Sequence, residues 1–218
     1  MVVIAIDGPA ASGKSSTARA VANTLGFHHV DSGSLYRAVT AARARSDGAP
    51  ARWTEDDVLD AAQLVTLEAT PAGFAPRLDG AVLDDELTSA AVTAAVSRVA
   101  QMPAVRAWVN ARLREVATNR NVVVDGRDMG RTVFPDAKLK VYLDADPWER
   151  ARRRLIQRDG RSPSDDEITA ESTMLTERDS RDSAQSAPAN DAVHIDTTSM
   201  SQQEQIDRIV SLARTPRY

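Results

Sequence analysis

The apolar run Val2-Val3-Ile4-Ala5-Ile6 is followed by Asp7 and then by Gly8-Pro9-Ala10-Ala11-Ser12-Gly13-Lys14-Ser15, the spacing G-x-x-x-x-G-K-S. No other stretch constrains the fold so tightly. The run reads as a strand buried on both faces of a parallel sheet. Beyond Ser16, Ala18, Val21, Ala22 and Leu25 recur at helical spacing and Gly26 closes the helix. Between the two, glycines let successive backbone N–H groups face one concavity, to which the helix N-terminus adds partial positive charge. Such a loop is an anion nest sized for a polyphosphate. Lys14 reaches the β- and γ-phosphates, and the Ser15 hydroxyl is placed to ligate Mg²⁺. A glycine turn that merely joins strand to helix is the alternative, and the Lys-Ser pair in this context speaks against it.

The length of 218 residues suits one core with insertions. No apolar run approaches the roughly 20 residues of a spanning helix, and the first run breaks at Asp7 with no basic segment before it. A cytoplasmic chain without a signal peptide or membrane partner is expected. Cysteine is absent, which excludes disulfides, thiolate catalysis and Cys-ligated metals. Of three histidines, His28 and His29 fall in a second strand and read as structural or solvent-facing. A net charge of −4 argues against a nucleic-acid polymer as partner, so any bound polyanion is small. Only Lys14, Lys138 and Lys140 are lysines, so each arginine is informative only through its neighbours.

The first helix leads to a short strand at 27–30 and to Asp31-Ser32-Gly33-Ser34-Leu35-Tyr36-Arg37, which opens a second helix. Asp31 or Ser32 caps that helix, or Ser32 and Arg37 face the phosphate loop at the sheet's C-terminal edge. Residues 47–57 read as a loop and a helix start. Residues 64–70 alternate, 71–73 turn and 76–83 form a hairpin around Asp79-Gly80, giving a small antiparallel insert. Residues 88–118 are helical, divided by Pro103. In Asn121-Val122-Val123-Val124-Asp125-Gly126-Arg127-Asp128 a strand ends at an acid able to hold Mg²⁺ opposite Ser15. Gly126 is expected to turn the chain sharply, so that Arg127 and Asp128 emerge over the site; a plain strand and tight turn is the alternative.

A buried strand at 139–143 precedes a helix opened by Pro147. Its arginines, Arg150, Arg152, Arg153, Arg154 and Arg158, run into Gly160, Arg161, Ser162 and Pro163. This is a mobile lid over a polyphosphate, or a solvated face. The helix from 165 to about 185 sets Arg178, Arg181, Asp182 and Gln185 on one face. A last strand at 192–195, a loop with a cap at Thr197-Thr198-Ser199 and an amphipathic helix through Ile206, Ile209, Val210 and Leu212 close an α/β chain.

Four ordered motifs resemble the bacterial cytidylate kinase family: Ile6-Asp7-Gly8-Pro9 opening the loop; Asp31-Ser32-Gly33-x-Leu35-Tyr36-Arg37; Asp125-Gly126-Arg127-Asp128-Met129-Gly130 with Val133-Phe134-Pro135-Asp136-Ala137; and Arg178-Asp179-x-x-Asp182. The resemblance implies a three-layer P-loop NTPase core with a parallel sheet, an NMP-binding insert containing a small antiparallel sheet, and a lid. It places the core at 1–31, 104–149 and 186–218, the insert at 32–103 and the lid with its flanking helices at 150–185. The implied reaction is ATP- and Mg²⁺-dependent phosphorylation of CMP and dCMP to CDP and dCDP in pyrimidine nucleotide metabolism, and a monomer is expected.

By the same resemblance Gly8, Pro9, Ala10, Ala11, Ser12, Gly13, Lys14, Ser15 and Ser16 bind ATP, and the loop at 197–200 borders its adenine. Ser32, Tyr36, Arg37, Ser97, Arg106, Arg127, Asp128, Arg178 and Asp182 bind CMP. Ser15 and Asp125 hold the metal, and Lys14, Arg127, Arg178 and Arg181 act in catalysis. Cytosine chemistry agrees: Asp128 accepts from the 4-amino group while Arg106 donates to N3 and O2, a pattern that uracil reverses. Two positions depart from the family pattern. Gln185 stands where a phosphate-binding arginine is usual, and Arg181 on the same helical face is the expected substitute. Arg131 stands where a small residue is usual and is expected to point into solvent. A kinase for UMP or shikimate and a non-catalytic nucleotide-binding protein are the rival readings. A GTPase is disfavoured because no Asn-Lys-x-Asp sequence occurs.

Overall fold

The computed structural model describes residues 1–46, 48–83, 85–182 and 186–215. They form two compact units, residues 28–121 with Met1, and residues 2–27 with those from 122 onward. The unit boundaries lie at 27/28 and 121/122, whereas the sequence reading breaks the chain at 31/32 and 103/104.

In the second unit β1 (Val3–Asp7) is flanked by β6 (Val122–Gly126) and β7 (Leu139–Asp144), with β8 (Val193–Asp196) beyond β7, all parallel. Ile4 aligns with Val123 and Leu139, and Ile6 with Asp125 and Val141. One face packs Ile4, Ile6, Val123 and Val141 against Ala18, Val21 and Ala22 of α1 (Lys14–Leu25) and Ile206, Ile209 and Val210 of α8 (Gln202–Arg214). The alternate residues Ala5, Val122 and Val124 are equally buried, so the sheet is covered on both faces, as continuous apolar runs require. Helices α6 (Pro147–Asp159) and α7 (Asp165–Asp182) pack through Ala151, Leu155, Ile168 and Leu175 onto Ala10 of the phosphate loop.

The expected turn at Gly126 is corrected: β6 runs through Gly126, in register with Asp7. The chain turns only afterwards, in a π-helical segment at Met129–Val133. Against Gly130 lies the stem of Lys140, a buried lysine of β7 whose Nζ pairs with Asp191 at 2.9 Å. Lys138, two residues earlier, is exposed and donates to the Ala213 carbonyl.

In the unit at 28–121, β3 (Val65–Thr70), β4 (Gly73–Leu78) and β5 (Ala81–Val82) form the expected antiparallel meander. Asp79 and Gly80 take φ of 50° and 75°, the left-handed pair of a two-residue hairpin turn. The meander does not stand alone, because β4 also pairs in parallel with β2 (His28–Asp31). Gly73 makes that approach possible: at φ 134° a Cβ there would lie 2.1 Å from the His29 carbonyl oxygen. Helix α2 (Ser32–Ala44) packs on α3 (Glu55–Ala62) and α4 (Ala90–Val99), and α3 on α5 (Pro103–Ala117). The core of this unit is Leu35, Val39, Val58, Val92, Val99, Val105 and Val109. Among the described residues no helix is long and apolar enough to cross a membrane.

Candidate active site

The phosphate loop leaves β1 at Asp7 and enters α1 through Gly13, whose φ of 84° lies in the left-handed region. A Cβ on Gly8 would sit 2.2 Å from the Leu143 carbonyl oxygen, so the loop lies directly on β7. Lys14 Nζ donates to the Pro9 carbonyl at 3.0 Å, folding back across the concavity. Ser15 Oγ donates to Asp125 Oδ2 at 2.5 Å, and Asp125 is buried at the end of β6. Two hard oxygen donors thus meet beside Lys14, a set suited to Mg²⁺, which takes one or two protein oxygens and completes its shell with water and phosphate. Among the described residues no three His, Cys, Asp or Glu side chains gather into a metal cage, and a magnesium site of this kind does not require one. Ser12 is fully buried, and its Oγ has no hydrogen-bond partner among the described residues.

Asp7, which ends the first apolar run and opens the loop motif, also organises the next segment. Its two carboxylate oxygens accept the backbone N–H groups of Met129 and Gly130, each at 2.8 Å, fixing the turn that follows Asp128. Burial pushes the Asp7 carboxyl up to about 6, against the opposing pull of those two N–H groups. Asp128 itself is buried.

Around Arg127 the charges interlock. Its guanidinium bonds Asp179 Oδ1 at 3.2 Å and Asp182 Oδ2 at 3.1 Å, and Arg178 lies 3.8 Å from Asp182. Arg150, the first arginine of the α6 run, is buried rather than solvated, and pairs with Asp179 at 2.5 Å. The other arginines of the run are held by acids: Arg152 and Arg153 by Glu149, and Arg154 and Arg158 by Glu171. Arg181 is exposed and donates to the Glu177 carbonyl of its own helix, away from this cluster. Gln185 lies outside the described residues. Arg131 is exposed, as expected.

The unit at 28–121 holds the remaining candidates. Asp31, not Ser32, caps α2, accepting from Ser34 N at 3.1 Å. Ser32 and Tyr36 are buried, and Arg37 donates to the Leu87 carbonyl at 3.0 Å and to Thr93 Oγ1 at 3.4 Å. Ser97 is half-buried on α4, and Arg106 in the first turn of α5 donates to the Ala100 carbonyl at 3.2 Å.

Beside the start of α1 opens a small cleft of about 200 Å³, bounded by Gly13, Thr17, Arg153, Met200 and Gln205. Arg153 donates to the Thr197 and Thr198 carbonyls, and Gln205, buried on α8, accepts from Thr17 Oγ1 at 3.0 Å. Neither residue was singled out from sequence for this cleft, because each is placed by a partner far away in the chain.

The cytidylate kinase family model matches residues 4–215. The cytidylate kinase of Chloroherpeton thalassium is 38% identical over 219 residues, covering 97% of this chain and 93% of its own length. That of Geobacillus kaustophilus is 40% identical over 216 residues, covering 97% and 96%. The chain belongs to the cytidylate kinase family. Membership bears out the resemblance read from the four motifs, and the family's nucleoside monophosphate kinase fold accommodates both the parallel sheet and the β3–β4 hairpin. At the level of fold alone, a crystal structure of a protein from Eubacterium ventriosum aligns over 99% of this chain and 100% of its own, with a TM-score of 0.51 at 12% identity.

Proposed function

We propose that the chain carries out the cytidylate kinase reaction, ATP + CMP (or dCMP) → ADP + CDP (or dCDP), through the following division of labour. Family membership supports the reaction. The observation that ties it to particular residues is the meeting of Ser15 and Asp125 beside Lys14. Residues 8–16 cradle the ATP phosphates, and the cleft beside α1, bordered by Met200, takes the adenosine end. Ser15 and Asp125 would hold Mg²⁺, which supplies charge neutralisation at the β- and γ-phosphates.

On the acceptor side Asp128 accepts from the cytosine amino group and Arg106 donates to N3 and O2, with Ser97 and Tyr36 completing the base pocket and Ser32 and Arg178 the rest of the nucleotide contacts. Asp182 accepts from the sugar hydroxyls, and Arg37 and Arg127 hold the acceptor phosphate by charge-assisted bonds. Arg181 joins only if its side chain leaves the Glu177 carbonyl. No dedicated base is needed, because phosphoryl transfer depends on in-line positioning and electrostatic stabilisation. In this reading residues 32–103 form the acceptor-binding insert and 150–185 a lid, and the protein works as a cytoplasmic monomer.

The test is initial-rate ADP formation from MgATP with CMP, dCMP, UMP, AMP and shikimate. Turnover concentrated on CMP and dCMP, and reduced by about 10²- to 10³-fold in Lys14→Ala, is the expected outcome. ATP binding without turnover of any acceptor overturns the proposal.

A further inference from the structure

Asp179 has no part in the reaction as described so far, yet three donors share its carboxylate. Oδ1 accepts from the Ala10 N–H and from Arg127, each at 3.2 Å, and Oδ2 accepts from Arg150 at 2.5 Å. Arg150 also donates to the Ala10 carbonyl at 2.9 Å and to the Ala145 carbonyl at 3.1 Å. One ion pair therefore grips both polar groups of a phosphate-loop residue. Ala10 is buried and packs with α6 and α7, so Asp179 is fixed from its own helix, from α6 and from the loop.

Arg127 is the remaining partner. Its guanidinium divides between Asp179 and Asp182, and just beyond it the chain is pinned by Asp7 through Met129 and Gly130. An arginine side chain has considerable rotamer entropy to lose when it is fixed. Here much of that freedom is given up before substrate arrives. Asp182 shares its carboxylate with Arg178 on the same helix, whereas Asp179 links Arg127 to the loop itself.

We infer that Asp179, backed by Arg150, is a positioning residue that sets the Arg127 guanidinium in register with the phosphate loop. The donor loop and the acceptor-side charge are thereby pre-aligned for in-line transfer. The inference rests on the reading of Arg127 as a phosphate ligand. Because Asp179 is itself anionic, it adds no attraction for ATP. Its removal therefore lowers kcat and leaves ATP binding largely intact.

A double-mutant cycle on the full chain tests this, with kcat and KM measured for ATP and CMP and thermal midpoints as a control of folding. Asp179→Asn is expected to lower kcat by about 10- to 100-fold, with the KM for ATP within about threefold of wild type. Arg127→Ala is expected to lower kcat by about 10³-fold. The double variant should match Arg127→Ala, because the positioning effect has nothing left to act through. Independent, multiplying losses overturn the inference, as does a raised KM for ATP at unchanged kcat, which would make Asp179 a prop of the loop alone. If Asp179→Asn fails to fold, Arg150→Lys, which keeps the charge and loses the fork, should show a smaller kcat loss that also vanishes in the Arg127→Ala background; a loss that persists there overturns the inference. Full activity of Arg127→Ala overturns the inference and the reading beneath it together. A crippled Arg127→Ala beside a fully active Asp179→Asn overturns the inference alone.

Discussion

The phosphate loop and the α6–α7 helix pair both concentrate charge, and they hold it by opposite means. In the loop the backbone does the holding: Gly8 lies against the Leu143 carbonyl, Gly13 turns into α1, and Asp7 grips two N–H groups of the next segment. In the helix pair side chains do it, with Glu149, Glu171 and Glu167 each taking one or two arginines. Protonation separates the regions further. Burial raises the Asp7 carboxyl, whereas Arg152 and then Arg153 hold Glu149 below the usual carboxylate range, and Arg161 with Ser164 pulls Glu167 down to about 2. A run of arginines is therefore not an open positive surface when acids on its own and the next helix already neutralise it, and the one member that reaches the loop, Arg150, is the buried one.

The sharpest break between the regions is expected at Gly8. Its Cβ would meet a main-chain oxygen that cannot move without β7, so Gly8→Ala should lower the unfolding free energy by about 3 kcal/mol in urea titrations. Next comes pH. A folded-state value of about 6 for Asp7, above the ordinary 3.8, means that its stabilising contribution is full below the unfolded value and is lost as pH rises through 6. Between pH 4.5 and 7.5 wild type should lose about 2 kcal/mol relative to Asp7→Asn, read as the difference between their denaturation curves. The depressed Glu149 acts with the opposite sign, contributing above its unfolded value and losing that contribution as pH falls.

In the helix pair the expected effects are smaller. Glu171 is buried but its arginine partners are partly hydrated, so Glu171→Ala should cost about 1–2 kcal/mol in the same titration. Arg161→Ala, which removes an exposed pair with Glu167, should leave the denaturation midpoint close to that of wild type. A larger loss there than at Glu171 would break the comparison.

What the sequence made legible follows the same divide. The loop, the β6 acid opposite Ser15 and the Asp79-Gly80 turn are local, because a few adjacent dihedrals or one strand register define them. The strand-helix order was readable for the same reason, through periodicity and caps such as Pro103 and Pro147. Gly126 misled because a glycine after a strand suggests a turn, while here the ladder with Asp7 continues through it. Arg150 could not be separated from its neighbours in the run, since its partners Ala10 and Asp179 lie 140 and 29 residues away. Gly73 was one residue of a turn in one dimension; only the parallel pairing of β4 with β2 shows why a side chain is forbidden there.

The placement of the lysines has a practical consequence. Lys140 is buried under its ion pair with Asp191, and Lys14 lies in the phosphate loop, where bound nucleotide would cover it. Lys138 is left as the exposed side-chain amine. If ATP covers Lys14 as proposed, an amine-directed dye or surface linker applied with ATP would therefore attach, besides any α-amino group, at one side chain just before β7, with no engineered residue.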